Sequence, residues 1–199
     1  MINLNWFFQG KYELFYFLAY VIFLSLVFWY VGIADPVESF LITLISVFLY
    51  LSAEKLMARK YGSSVILKIN PFYLLFSLIL AFFKIPMTLI GLAETYPYRY
   101  GRWGFKVVSL GRIELGYIGF AGAITTLGLA VFFKFLTLFS PVFLPLYKIN
   151  AIISFYNLLF VPHTEGFKIY GWSPMLWVFL LVIAGFMMMD IFFVLGLSA

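Results

Sequence analysis

Long runs of apolar residues, separated by short polar or turn-forming segments, make up most of this chain. A helix that crosses a hydrocarbon core of ~30 Å needs about 20 such residues, because it rises ~1.5 Å per residue. Runs of that length predict transmembrane helices. The runs that qualify, in chain order, are Leu14–Val31, Val37–Ala58, Phe72–Leu92, Glu114–Phe139, Pro141–Val161 and Trp172–Leu197.

The third run, Phe72–Leu92, differs from the others because Lys84-Ile85-Pro86 interrupts it. Proline removes a backbone donor and clashes with the preceding turn, and irregular backbone at membrane depth must be covered by protein or line a cavity. The break favours a re-entrant segment that dips into the membrane and returns on the same side, which gives five spans. Full crossing is the alternative and gives six.

Basic residues predict which side each end faces. Lys11 precedes the first run, whereas the turn after it carries Asp35 and Glu38 and no base. The positive-inside rule therefore predicts a cytoplasmic N-terminus, and the five-span topology then gives an external C-terminus. Two groups of bases follow, one before and one after the third run. If the third run is re-entrant, both groups are cytoplasmic, whereas full crossing puts the group after it outside. These bases are Lys55, Arg59, Lys60 and Lys68, then Arg99, Arg102, Lys106 and Arg112.

Composition supports the membrane assignment and removes several kinds of chemistry. The chain is 65% hydrophobic and 11% charged, whereas a soluble domain has about 45–50% apolar and about 25% charged residues. It has no Cys and one His, so it cannot form a disulfide, a thiolate zinc site or an iron–sulfur cluster, and a Ser-His-Asp triad is disfavoured. We expect one all-α domain over residues 1–199 in a cell membrane, of a composition that suits a prokaryote.

A stretch from Tyr96 to Trp103 interleaves aromatic rings with arginines, and the formal net charge is +5. Such a pattern binds single-stranded nucleic acid in soluble proteins, but beside a membrane it forms an interfacial belt facing lipid phosphates. We therefore expect membrane lipids as partners and no nucleic acid. Alternating residues further predict a short β-hairpin or loop at the cytoplasmic face, in which Lys106–Leu110 pairs with Ser64–Lys68.

Three segments, in the same order as in the family, resemble the site-2 protease family of intramembrane zinc metalloproteases. Asn157–Gly166 reads N-L-L-F-V-P-H-T-E-G and is similar to the family pattern N-L-L-P-x-P-x-x-D-G, whose Asp is a zinc ligand. Gly119–Thr126 reads G-F-A-G-A-I-T-T and resembles the A-G-P-x-x-N helix start. Ala58–Gly62 resembles the segment that follows H-E-x-x-H. The resemblance covers about residues 40–177.

The resemblance implies that the catalytic residues of the family are replaced here. In H-E-x-x-H two histidines four residues apart hold zinc, and the glutamate activates the bound water. The alignment puts Tyr50 and Glu54 at the two histidines, Leu51 at the glutamate and Glu165 at the aspartate. Leucine cannot accept a proton, and tyrosine with a pKa of about 10 is a poor zinc ligand at neutral pH. The expected protein is a degenerate, inactive member.

Three functions follow as hypotheses. The first is a non-catalytic scaffold or accessory subunit of a larger membrane complex, without a cofactor. The second is a membrane enzyme with an altered, carboxylate-rich metal site made of Glu54, His163 and Glu165. The third is a small transporter component, for which the intramembrane charges Lys84 and Asp190 are the candidates. A structural role for Glu54 in an ion pair, with Lys55 or a loop base, is the simpler alternative to a metal site.

Overall fold

The computed structural model describes residues 12–89, 91–97 and 110–196. Most of these residues are helical, and a two-stranded sheet joins the helices. The elements are α1 (Glu13–Val31), α2 (Pro36–Lys60), β1 (Ser63–Ile69), α3 (Pro71–Phe82), β2 (Gly91–Pro97), α4 (Arg112–Leu136), a 3-10 turn (Pro141–Phe143), α5 (Leu144–Leu158), α6 (Glu165–Trp172) and α7 (Pro174–Gly196).

Four of these helices, α1, α2, α4 and α7, are long and apolar enough to cross a membrane. Their outer faces carry many exposed Leu, Ile, Val and Phe side chains, as expected where lipid is the solvent. The predicted count of five to six spans is not confirmed, since the other two apolar runs form shorter helices: α3 has 12 residues and α5 has 15. The last predicted span, Trp172–Leu197, is confirmed as a long apolar helix, because α7 begins at Pro174 and ends at Gly196.

The third apolar run folds back on itself. Strands β1 and β2 pair antiparallel, with Ile69 opposite Gly91 and Ser63 opposite Pro97. The chain that leaves the end of α2 therefore returns to the same place after α3. The predicted strand near Ser64–Lys68 is present as β1, and its partner among the described residues is β2. Residues 106–109 of the predicted partner strand lie outside the described residues, as do Lys11, Arg99 and Arg102.

Local chemistry sets both ends of α3. The side chain of Asn70 caps the first turn by accepting a hydrogen bond from the Phe72 backbone N–H at 3.0 Å, and Pro71 occupies the first helical position. After the helix, Lys84 adopts a positive φ of 62°. The Lys84 ammonium donates a hydrogen bond to the Tyr30 carbonyl oxygen on α1, which ties the turn to that helix.

Helix α4 carries three glycines at a spacing of three, and α6 packs directly on them. A Cβ on Gly116 would lie 2.6 Å from Cγ of Trp172, and a Cβ on Gly119 would lie 2.8 Å from Cβ of Lys168. Such distances exclude any side chain at these two positions without rearrangement. Glycine therefore brings the backbones of α4 and α6 close together, as small residues do in membrane helix pairs.

Helix α5 is the central element of the bundle. It packs against α2, α4, α6 and α7, and ten of its 15 residues are buried. A helix that is buried on nearly all sides needs no amphipathic pattern. This explains why the sequence alone did not distinguish α5 from a lipid-facing span.

Candidate functional site

A buried ion pair joins α2 to α6. The Lys168 ammonium donates a hydrogen bond to Oε1 of Glu54 at 2.9 Å. Glu54 is fully buried and Lys168 is 7% exposed. Because charges removed from water are costly unless paired, each group depends on the other to remain ionised. The second carboxylate oxygen of Glu54 accepts no hydrogen bond from the described residues.

A second buried carboxylate, Glu165, lies beside the first. A Cβ on Gly122 of α4 would lie 3.1 Å from Cδ of Glu54 and 3.4 Å from Cγ of Glu165. The two acidic side chains therefore pass the same point of α4, where glycine leaves room for both. The resemblance placed these two residues at zinc-ligand positions, and the structure does bring them together. We call Glu54, Glu165 and Lys168 the ion-pair cluster.

Two tyrosines cover the cluster from α1 and α2. The Tyr50 hydroxyl is hydrogen-bonded to that of Tyr20, and the Tyr20 hydroxyl donates to the Thr88 carbonyl oxygen at 3.4 Å. Both rings are fully buried or nearly so, and both hydroxyls interact electrostatically with Glu165. Leu51, which the resemblance aligns with a general base, is also buried. These positions thus contribute packing and neutral hydroxyls.

The ion pair expected for Glu54 as the simpler alternative is present, but the carboxylate is fully buried and pairs neither with Lys55 nor with a loop base. Its partner is Lys168. Lys55 points to α1 instead and forms a buried ion pair with Glu13. Glu165 begins α6 and is 3% exposed.

The residues present do not fit a metal ion. Among the described residues no group of three or more His, Cys, Asp or Glu side chains is placed to hold one. His163 has a positive φ of 70° in the loop before α6, and its electrostatic partner is Glu94 of β2. The third member of the cluster is instead the Lys168 ammonium. Its positive charge lies 2.9 Å from Oε1 of Glu54 and would repel a metal cation there.

Burial makes the Glu165 carboxyl hold its proton. Burial, and next the negative charge of Glu54, raise the pKa of Glu165 from 4.5 to about 8, and the nearby Lys168 charge opposes this. A neutral Glu165 leaves one carboxylate and one ammonium in the cluster, so that the charges balance.

Glu94, on the sheet, has a lowered pKa instead. The Lys68 ammonium and the Tyr96 hydroxyl lower it despite the partial burial of the carboxylate.

The protein should therefore lose stability as pH rises. Between pH 4.5 and about 8 the folded chain keeps the Glu165 proton that the unfolded chain has lost, so the free energy of unfolding falls across that range. Thermal unfolding in detergent at about pH 5 and about pH 9 measures the fall. Glu165→Gln, which cannot titrate, should reduce it. An equally large fall in that variant would contradict the assignment.

Sequence reasoning missed a stripe of buried polar residues on α2. Ser39, Thr43, Ser46, Tyr50 and Glu54 are each at most 2% exposed. Their spacing of four, three, four and four residues keeps them on one face of the helix. This spacing is present in the sequence, but the stripe lies within a predominantly apolar run.

Helix α5 carries a second stripe of the same kind. Asn150 and Ser154 are fully buried and Asn157 is 5% exposed, and each is a helical turn from the next. Sequence reasoning missed Ser154 and Asn150 as well, and it considered Asn157 only as the first letter of a family motif.

Asp190 of α7 belongs to a separate, half-exposed group. Its Oδ2 atom accepts hydrogen bonds from the Lys134 ammonium at 2.5 Å and from the Tyr147 hydroxyl at 2.8 Å. Asp190, which the sequence offered as a candidate for transport, thus has one basic and one hydroxyl partner. Asp190 is therefore neutralised by Lys134, and it does not lie with the ion-pair cluster.

Comparison of the chain with protein-family models, with curated proteins and with solved structures gives no match. The described residues form a helical bundle with four potential membrane spans and a buried cluster of two acidic side chains and one lysine.

Proposed function

We propose that this chain is a multi-pass membrane protein that acts as a non-catalytic scaffold or accessory subunit of a larger membrane complex. The proposed fold resembles that of site-2 proteases, with the metal centre replaced. One observation carries the proposal: Glu54 and Glu165 meet at the place that the resemblance reserves for zinc, and Lys168 lies there as well. The internal ion pair takes the role of the metal in holding the helices together.

The same observation counts against the altered metal enzyme. A divalent ion bound to Glu54 would lie beside the buried Lys168 ammonium, whose positive charge repels it. A hydrolytic mechanism also needs a general base near the metal, and the aligned position is Leu51. The scaffold proposal needs neither step.

Metal content tests the proposal. The purified full-length chain should contain no stoichiometric divalent metal by elemental analysis, and it should co-purify with other membrane subunits in a fixed ratio. Metal bound one to one and lost in the Glu54→Ala/Glu165→Ala variant would refute the proposal and support the enzyme. The matched control is Asp35→Ala/Glu38→Ala, which removes two carboxylates that are not buried.

The proposed topology has five spans. Helix α5 together with the 3-10 turn before it has a length of about 28 Å, at ~1.5 Å and ~2.0 Å per residue respectively, close to the thickness of the hydrocarbon core. The N-terminus is then cytoplasmic, the segment from β1 to β2 is re-entrant, and the C-terminus is external. Lys60 at the end of α2 and Arg112 at the start of α4 consequently face the cytoplasm together.

Single cysteines test this topology cleanly, because the natural chain has none. Lys60→Cys and Arg112→Cys should react with a membrane-impermeant maleimide only from the cytoplasmic side of vesicles. Leu138→Cys, in the exposed turn between α4 and the 3-10 turn, should react only from the other side. Labelling of Lys60→Cys and Arg112→Cys from opposite sides would show that the segment between them crosses.

A further inference from the structure

The two polar stripes of α2 and α5 contain buried groups that lack hydrogen-bond partners. Among the described residues eight buried side-chain atoms accept or donate no hydrogen bond, and five of them belong to these stripes. They are Thr43 Oγ1, Glu54 Oε2, Asn150 Oδ1, Ser154 Oγ and Asn157 Nδ2. All five atoms lie on α2 and α5, two helices that contact each other.

A buried polar group without a partner costs about 1–3 kcal/mol. Several on two contacting helices would make a large penalty in a bundle that could have used Val or Ala at the same positions. Native proteins satisfy such groups with internal water, which makes about three hydrogen bonds to its surroundings.

The spacing of the stripes suits water. Side chains one helical turn apart have Cβ atoms ~5–6 Å apart, which is about the length of two hydrogen bonds of ~2.8 Å that meet at one water oxygen. On α5, Asn150, Ser154 and Asn157 succeed one another at this interval. One water between each neighbouring pair would satisfy all three side chains.

We propose that the α2 and α5 stripes line a narrow hydrated path that leads through the bundle to the ion-pair cluster. The ligand of this path is water, together with the protons that water carries. The inference does not rest on the scaffold proposal, because the path follows from the stripes alone.

The path would place the cluster in proton exchange with the aqueous phase. The charged and titratable groups around Glu165 are Tyr20 on α1, Tyr50 and Glu54 on α2 and Lys168 on its own helix. Helix α4 contributes Gly122 at this point. The proposed path ends at the second carboxylate oxygen of Glu54, which has no hydrogen-bond partner among the described residues.

Accessibility of single cysteines to Ag⁺ tests the path. Ag⁺ is small enough for a narrow hydrated space and binds a thiol sulfur with release of the thiol proton. The variants form two matched pairs, Ser46→Cys with Val47→Cys on α2 and Ser154→Cys with Ile153→Cys on α5. All four residues are at most 2% exposed, and each pair lies at one depth.

The expected result is that Ag⁺ protects the stripe cysteine from later maleimide labelling in denaturant at least about tenfold faster than its neighbour, which must wait for local opening. All four variants should elute like the natural protein in size-exclusion chromatography, since no change adds more volume than the replacement of an oxygen atom by a sulfur atom. Equal rates within both pairs, or no reaction at Ser46→Cys and Ser154→Cys, would overturn the proposal. Neither result would bear on metal content or partner subunits.

Discussion

Replacement of Lys168 with Met is expected to lower the free energy of unfolding by about 3–5 kcal/mol. The substitution keeps the length of the side chain but leaves the Glu54 carboxylate buried without its ammonium partner. Unfolding in mixed micelles, followed by circular dichroism, measures the change. The loss should be smaller at low pH, because a protonated Glu54 no longer needs a counter-charge.

Two further variants separate this charge effect from packing. The double variant Glu54→Gln/Lys168→Met removes both charges and should recover much of the lost stability. Lys134→Met breaks the half-exposed pair with Asp190 and should cost less than about 1 kcal/mol. A Lys168→Met protein as stable as the Lys134→Met protein would show that the buried pair does not hold α2 and α6 together.

Replacement of Gly166 with Ala is expected to destabilise the fold by at least about 3 kcal/mol, or to prevent folding. The new Cβ would lie 2.7 Å from the Leu159 carbonyl oxygen and closer still to that of Leu158. These are backbone atoms at the end of α5, so no flexible side chain can move aside. The yield of monodisperse protein and its thermal midpoint are the measurements.

The matched control is Gly171→Ala on the same helix. No atom lies within 4 Å of the Cβ that this change adds, so it should be neutral, or stabilising by up to about 1 kcal/mol through helix propensity. If both variants have the same thermal midpoint, the close approach of α6 to the end of α5 does not require glycine at position 166.

The apolar runs predicted four long helices within a few residues, because twenty consecutive apolar residues have few other stable arrangements. The structure of the run Phe72–Leu92 was predicted only in part. Pro86 correctly marked a break, but the break alone could not show that β2 returns to pair with β1. Strand pairing is a long-range contact, and a single sequence carries only a weak signal for it.

The candidate site was predicted in part. The resemblance singled out Tyr50, Glu54 and Glu165, and the fold brings them near one another. It did not indicate Lys168, because a lysine one turn into an eight-residue helix has no special pattern. The ion pair spans 114 residues of sequence, and its partners meet only because Gly119 and Gly122 let α6 lie against α4.

The sequence by itself predicted the helices that are long and apolar enough to cross a membrane, since these follow from residue type and local spacing. The tertiary structure decided which charges pair and which polar groups are buried. Glu54 has a lysine as its direct neighbour in sequence, yet it pairs with Lys168 while Lys55 pairs with Glu13. Side chains at i and i+1 point to different sides of a helix, so only the packing of α1 and α6 could make that choice.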